Sequence, residues 1–152
     1  MKNSFLLLLI TLALTACKDE EVKNTNNSTS KNSISAIVAK TEWSATNIQA
    51  FISVDELIIS GSNPDDFRSL VSLTFPASIR ETQISLGEVT NVGRVTINDR
   101  TLISKSGTLT IVSHDTIANK IEGEFDFLAE DVSDSSVSTQ VTNGSFVTFY
   151  DE

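Results

Sequence analysis

The chain contains very few residues that bind metals or form cross-links, and it has no long apolar run. Cys17 is the only cysteine and His114 the only histidine among its 152 residues. An intramolecular disulfide, a cysteine-based metal site and an ordinary zinc site are therefore excluded. The longest mainly apolar stretch, residues 5–14, is far shorter than the roughly 20 residues that a transmembrane helix requires. The sequence predicts no cofactor and no membrane-spanning helix.

Basic residues are also scarce. The chain has 11 lysines and arginines against 20 aspartates and glutamates, and its formal net charge is −9. An acidic protein is repelled by the phosphates of nucleic acids and by anionic lipid head groups. We therefore expect no nucleic-acid partner, and any membrane contact has to come from an attached lipid. The length suits a single domain with one core.

The N-terminus resembles the signal peptide of bacterial lipoproteins. Lys2 precedes the apolar stretch, and residues 14–17 read Leu-Thr-Ala-Cys. This order is similar to the lipobox, whose cysteine is lipidated and becomes the first residue of the mature chain. The resemblance implies that residues 1–16 are removed and that acyl chains on Cys17 hold the protein on a membrane. The alternative is an ordinary secreted protein with a free thiol at Cys17.

Residues 17–33 are predicted to be the lipidated cysteine followed by a flexible tether, because their polar composition offers nothing to bury. Lys18, Asp19 and Glu20 come directly after the cysteine. This order of cysteine, lysine and two acids resembles the surface-export signal of Bacteroidota lipoproteins, and it implies the outer leaflet of the outer membrane. The alternative is a solvated charge cluster on a lipoprotein that faces the periplasm.

Residues 34–152 have the pattern of a single all-β domain. Short β-branched runs alternate with Gly, Asn, Asp and Pro, and no long stretch has helical periodicity. The pattern predicts a two-sheet antiparallel sandwich of about eight or nine short strands, with a small closed lipocalin-like β-barrel as the alternative. Turns are predicted at Thr41-Glu42 and at residues 61–66. The predicted strands are 35–39, 48–54, 56–60, 68–75, 82–86, 94–97, 107–113, 121–127 and 144–150.

The clearest strand signal covers residues 121–127. Ile121, Phe125 and Phe127 alternate with three acidic residues, which predicts one core face and one wet face. Gly123 falls on the inner face, where the missing side chain lets a bulky neighbour approach closely. The apolar C-terminal stretch predicts that the last strand lies inside a sheet.

Several of these strand and turn segments together resemble one family. After a lipobox and a polar tether, their order is similar to that of the small uncharacterised lipoproteins of Bacteroidota, with domain of unknown function 6252. The sequence departs from the family pattern at Thr41-Glu42, where a tighter turn containing glycine is usual. The resemblance implies no activity and no catalytic residues. The segments that carry it are 39–45, 57–61, 106–111, 121–127 and 141–146.

Two single residues are candidates for chemistry. His114 lies between Ser113 and Asp115, but adjacent strand residues point to opposite faces and do not converge as a catalytic triad must. We interpret it as a histidine at a strand end or in a loop. Trp43, the only tryptophan, is predicted to be a core residue whose N–H is satisfied nearby. The alternative is a surface aromatic that stacks on a sugar.

Calcium is the one metal that the composition leaves open, through oxygen ligands. Asp131 and Asp134 are the weak candidates. The acidic clusters lack the spacing of an EF-hand loop, and solvated acidic loops are the preferred interpretation. The two clusters are Asp65 with Asp66, and Asp126, Glu130, Asp131 and Asp134.

Together these patterns favour a non-catalytic, monomeric binding module that is lipid-anchored in the envelope. It would hold a protein or glycan partner through a sheet edge or a loop cluster that includes residues 130–136. The first alternative is a carrier of a small apolar ligand, which requires a barrel with an internal cavity. The second alternative is a hydrolase that acts on an envelope or glycan substrate, which requires convergent polar residues in a cleft.

Overall fold

The computed structural model describes residues 31–80 and 82–152. The predicted signal peptide (1–16), Cys17, the predicted export residues 18–20 and most of the predicted tether lie outside these ranges. Within them, ten strands form one antiparallel sheet, and there is no helix with the length and apolar character needed to cross a bilayer. The strands are β1 (Ser33–Val38), β2 (Thr41–Ser44), β3 (Asn47–Ser53), β4 (Glu56–Ser62), β5 (Leu70–Pro76), β6 (Thr82–Leu86), β7 (Val92–Ile97), β8 (Arg100–Asp115), β9 (Lys120–Glu130) and β10 (Ser138–Phe149).

The sheet is curled, and its strands follow the order β2-β1-β10-β9-β8-β7-β5-β4-β3. The remaining strand, β6, pairs with β8. β8 is 16 residues long and changes its partner along one edge, where residues 100–103 pair with β7 and residues 107–111 pair with β6. The structure confirms the predicted all-β antiparallel class, and the curl is consistent with a sandwich or a barrel-like fold.

The first and last strands in this order, β2 and β3, are consecutive in the sequence, and one bend joins them. The backbone N–H of Ala45 donates to the carbonyl of Ile34 at 3.0 Å, which extends the pairing of β2 with β1. The next N–H, that of Thr46, donates to the carbonyl of Ser62 at 2.9 Å and begins the pairing of β3 with β4. The chain therefore passes from one end of the sheet to the other at this bend, which we call the β2–β3 corner.

The outer edge of β3 is partly covered by the C-terminus. The N–H of Ile52 donates to the carbonyl of Asp151 at 2.9 Å, and the N–H of Asp151 donates to the carbonyl of Ala50 at 3.1 Å. These two bonds place the residue after Tyr150 parallel to β3. An exposed sheet edge is a template for unwanted pairing, so the C-terminus protects this one.

The first hairpin differs from the prediction. Thr41 and Glu42 are the first residues of β2, so the turn predicted there is wrong. The reversal occurs at Ala39 and Lys40, whose φ angles are 51° and 68°. Two consecutive positive φ angles match the tight hairpin turn whose twist fits that of the flanking strands. Because neither residue is Gly, Asn or Asp, the sequence gives no ordinary signal for this turn.

Other boundaries shift by a few residues. Ser33, the predicted end of the tether, is the first residue of β1. Gly61 and Ser62 belong to β4 and not to a turn, so the following loop spans residues 63–69. β10 begins at Ser138 rather than at residue 144. It lies between β1 and β9, which confirms the prediction that the last strand lies inside a sheet.

The core lies on the inner face of the curled sheet. Along β9, Ile121, Phe125 and Phe127 are buried while Glu124 and Asp126 are exposed, as the alternation predicts. Gly123 is also buried, and a Cβ placed on it would lie 2.6 Å from Cζ of Phe146. The prediction of a close approach at this glycine is therefore confirmed.

Trp43 is a core residue, as predicted, with only 3% of its surface exposed. Its ring packs under β4, where Cη2 lies 3.2 Å from the position that a Cβ on Gly61 would take. The indole N–H has no hydrogen-bond partner among the described residues. The expectation of a satisfied N–H is therefore wrong.

Candidate functional site

Three connections at one end of the sheet form a linked surface, which we call the distal loop cluster. It consists of loop 63–69, the turn at Asn98-Asp99 and loop 131–137. The N–H of Asn98 donates to the carbonyl of Phe67 at 2.8 Å, and Arg100 forms an ion pair with Asp131 at 3.3 Å. Loop 131–137 lies at the opposite end of β10 from the residue that pairs with the first residue of β1. Loop 63–69, in contrast, begins beside β1, because the side-chain amide of Asn63 donates to the carbonyl of Ser44 at 3.1 Å and Ser44 pairs with Ser35.

Loop 63–69 is organised around a buried ion pair. The guanidinium of Arg68 donates to both carboxylate oxygens of Asp66, at 2.7 Å from Nε and 2.6 Å from Nη2. The backbone N–H of Arg68 also donates to this carboxylate at 2.9 Å. Arg68 is 6% exposed. Hydrogen bonds from its side chain and backbone lower the pKa of Asp66, and the same pair raises the pKa of Arg68.

The ion pair holds an aromatic side chain on the surface. Phe67 is 53% exposed, and Cζ of Arg68 lies 4.4 Å from the centroid of its ring. This distance is within the range of a cation–π interaction. The Nη1 atom of Arg68 is buried and has no partner within the described part of the chain. The loop therefore keeps a costly buried guanidinium directly behind an exposed phenylalanine.

The acidic loop 131–137 is folded by its own carboxylates. Oδ1 of Asp131 accepts the backbone N–H of Ser133 at 2.7 Å and that of Asp134 at 3.1 Å. Oδ1 of Asp134 accepts both the hydroxyl and the N–H of Ser136, and these bonds lower the pKa of Asp134. Val132 lies at the tip and is 80% exposed. The weak calcium candidates Asp131 and Asp134 thus act in turn formation, and no group of three or more potential metal ligands occurs in residues 31–80 and 82–152.

A second candidate site lies on the outer face of the sheet, where β6, β8, β9 and β10 form a groove of about 660 Å³. We call it the outer-face groove. Its polar walls carry hydroxyl, amide and carboxylate groups, while Phe125 contributes little surface because it is 3% exposed. A second depression of about 520 Å³ adjoins it on β1 and β2, and Asn143 lines both. The main polar residues of the groove are Gln83, Thr108, Thr110, Glu124, Asp126 and Asn143.

A β-bulge in β10 shapes this groove. Val141 pairs with Phe127 and Gly144 pairs with Phe125, so two residues of β10, Thr142 and Asn143, lie opposite the single residue Asp126. Asn143 has a φ of 51°, a conformation that asparagine tolerates better than most residues. Bulges redirect side chains and are frequent beside functional sites. The bulge thus places a side-chain amide between the two depressions.

The only histidine is held in a hydrogen-bonded chain. Nδ1 of His114 lies 2.7 Å from the carbonyl of Ile79, and Nε2 lies 2.9 Å from the hydroxyl of Tyr150. The carbonyl only accepts, so Nδ1 carries the proton and Nε2 of a neutral ring accepts from the tyrosine. Burial raises the pKa of Tyr150. Both ring nitrogens are therefore occupied by structural partners, at the end of β8 as predicted.

Asp115, the residue after His114, does not take part in this hydrogen-bonded chain. Oδ1 of Asp115 instead accepts the backbone N–H groups of Ala118 and Ile117, at 3.0 and 2.9 Å. These two bonds lower the pKa of Asp115. The structure therefore gives Asp115 a role in closing the turn between β8 and β9.

The interior of the sheet is filled by side chains. Phe75, Leu57 and Phe146 are among the largest residues that are almost completely buried, and the two largest depressions described above open on the outer face. A carrier requires an internal cavity of several hundred Å³. Neither of the two depressions described above is such a cavity.

Sequence reasoning missed three of the residues that define these sites. Arg68 is the first residue of a predicted strand and Phe67 precedes it, and nothing in the sequence indicates that one is exposed and the other buried. Asn143 did carry a signal, because an Asn-Gly pair inside an apolar strand pattern indicates a turn or a bulge.

The fold and the two surfaces define an all-β antiparallel domain with a packed core and polar depressions on its outer face. Residues 30–149 match the family model described as "Domain of unknown function (DUF6252)". The chain belongs to this family, which confirms the domain that its strand and turn segments resemble. No curated protein and no solved structure gave a match to the chain.

Proposed function

We propose that this protein is a non-catalytic binding module, lipid-anchored at the outer membrane, and that its distal loop cluster binds a protein partner. The observation that carries the proposal is Phe67, whose ring is exposed while the guanidinium of the Asp66–Arg68 ion pair packs against it. Aromatic residues and arginines dominate the energetic centres of protein interfaces. A rigid aromatic side chain also loses little conformational freedom on binding.

The charge of the cluster suggests the chemistry of the partner. Its loops carry more acidic than basic side chains, among them Asp65, Asp99 and Asp134, which are exposed. Val132 adds a second exposed apolar group. A partner with an apolar pocket inside a basic rim would complement this surface, and the opposite charges would increase the association rate.

The anchor supports this arrangement. If Cys17 is acylated, the residues that follow it form a tether with a root-mean-square span of about 20–25 Å. β1 begins at the opposite end of β10 from loop 131–137, so the tether leaves that loop free to face outward. We propose the outer leaflet, with Lys18, Asp19 and Glu20 as the export signal.

The anchor is tested by fractionation and by protease treatment of intact cells. We expect Cys17→Ser to move the protein from the membrane to the soluble fraction, because two or more acyl chains are needed for stable attachment. We expect protease to remove a C-terminal tag from the wild-type protein. A variant with alanine at residues 18–20 should keep its tag. Membrane attachment of Cys17→Ser would contradict lipidation, and equal protection of wild type and the alanine variant would indicate a periplasm-facing protein.

The binding surface is tested by photo-cross-linking in cells. A photoreactive phenylalanine analogue at position 67 should give one dominant adduct with a second protein, because the side chain would lie at the centre of the interface. The matched control is the same analogue at Ile117, which is 97% exposed on the turn between β8 and β9. The same adducts at both positions, or no adduct at position 67, would contradict the proposal.

A further inference from the structure

We propose that the outer-face groove binds an uncharged oligosaccharide, independently of the distal loop cluster. The groove is an open depression of about 660 Å³, and polar groups make up the larger part of its exposed wall. The inference rests on the kinds of hydrogen-bonding groups in these walls and on their arrangement across the strands.

The charges of the groove exclude an anionic ligand. Glu124 and Asp126 are exposed on the outer face of β9, and neither forms an ion pair within the described part of the chain. The residues that line the groove include no lysine, arginine or histidine. A phosphate, a sulfate or an acidic sugar would be repelled without any compensating cation.

The hydrogen-bonding groups match a polyhydroxyl ligand. Ionised carboxylates only accept hydrogen bonds, so Glu124 and Asp126 require a ligand that donates. The amides of Gln83 and Asn143 and the hydroxyl of Thr110 both donate and accept, so a ligand that also accepts can form more hydrogen bonds here. Sugar hydroxyls meet both requirements, whereas a polyamine or a metal cation does not accept.

The groups form a track that suits a chain rather than a single small molecule. Gln83, Thr110, Glu124, Ser145, Ser35 and Ser44 are paired in register across six neighbouring strands. At the usual strand separation, these five steps span about 24 Å. Contacts already join two neighbouring pairs on the track: the Gln83 amide donates to the Thr110 hydroxyl at 3.4 Å, and the Ser35 and Ser145 hydroxyls lie 3.2 Å apart. An extended oligosaccharide would lie across the strands along this row.

Asn143, in the β-bulge of β10, is the first residue to replace in a test of sugar binding. Replacement of Asn143 by glycine keeps a residue that adopts the φ of 51° without strain, and it removes only the amide side chain between the two depressions. Asn98→Gly is the matched control, because Asn98 has a φ of 49° and lies in a turn away from the groove. Glu124→Gln is the second test variant, since it keeps the shape and removes an obligate acceptor.

The experiment is a titration of the folded domain with maltohexaose, cellohexaose and mannohexaose, followed by backbone amide chemical shifts. We expect at least one hexasaccharide to shift the amides of β8, β9 and β10 around Thr110 and Asn143. Asn143→Gly and Glu124→Gln should each weaken this binding about tenfold, whereas Asn98→Gly should leave it unchanged.

Three outcomes would overturn the proposal. The first is that none of the three hexasaccharides shifts the groove amides. The second is that the affected amides lie elsewhere. The third is that spermine or calcium shifts the groove amides and the hexasaccharides do not, which would identify the groove as a cation site.

Discussion

Gly107→Ala is expected to destabilise the domain by about 3–6 kcal/mol, which is a large part of the total stability of a domain of this size. Gly107 has a φ of 152°, where side chains other than hydrogen are strained. A Cβ at this position would also collide with the backbone carbonyl of Asp126 and lie 2.6 Å from Cα of Phe127. Relief requires β8 and β9 to separate, because backbone atoms cannot rotate away.

The position of Gly107 explains why the cost is high. It pairs with Phe127 on one side and with Leu86 on the other. A register shift between Ser104 and Ser106 comes just before it, at the point where β8 exchanges β7 for β6. Movement of the backbone here would therefore disturb three strand pairings at once.

Urea denaturation of the purified domain measures this effect. Ser106→Ala is the matched control, because Ser106 is exposed and is the neighbouring residue, and we expect its unfolding free energy to change by less than about 0.5 kcal/mol. If Gly107→Ala unfolded at the same urea concentration as the wild type, the strands could separate without a loss of stability, and the predicted collision would be wrong.

Asp66→Asn is expected to destabilise the domain by about 1–3 kcal/mol, which is between the values for an exposed and a fully buried ion pair. The substitution keeps the shape of the side chain but leaves the buried guanidinium of Arg68 without a counter-charge. The side chains of Arg68 and Asp66 are 7% and 18% exposed, so water screens the pair only partly. The same change should release Phe67 and weaken any adduct formed at that position.

This effect should depend on pH. The pKa of Asp66 is lowered in the folded protein. The ion pair therefore contributes its full stability above the unfolded pKa of about 3.9, and the contribution is lost as the pH falls through the lower folded value. The difference in unfolding free energy between wild type and Asp66→Asn should be constant near neutral pH and should narrow below about pH 4.

Two further variants separate the ion pair from other effects. Asp65→Asn removes a neighbouring exposed carboxylate and should change the stability by less than about 0.5 kcal/mol. The double variant Asp66→Asn with Arg68→Met removes both charges and should recover much of the loss, because an apolar pair is often no worse than a buried ion pair. Equal destabilisation by the single and double variants would show that the charge is not the cause.

Much of the strand pattern was predictable because one-sided burial leaves a period of two in the sequence. Residues 121–127 show this most clearly, since a slip by one residue would bury carboxylates and expose phenylalanines. Gly123 was also predictable, because a glycine on the inner face of such a strand indicates a close neighbour. Phe146 is that neighbour.

The remaining features depend on contacts between distant residues, which local patterns do not encode. The turn at Ala39-Lys40 is imposed by the pairing of β1 with β2, against the usual preference of these residues for negative φ angles. Arg68 is buried because Asp66 neutralises its charge and because neighbouring loops cover it. The residues around Arg68 in the sequence do not show that these loops come together. The outer-face groove combines residues from four strands, so only the register brings Gln83 and Asn143 to the same surface.

The pairing of β1 with β10 has a consequence for the order of folding. Ser33 lies opposite Val147, so the first strand to be synthesised has to wait for the last. Contacts of such high sequence separation form slowly, and the β2–β3 corner cannot join the two ends of the sheet until β1 has its partner. The domain therefore completes its fold only after the whole chain has been synthesised, which makes a late truncation as damaging as an early one.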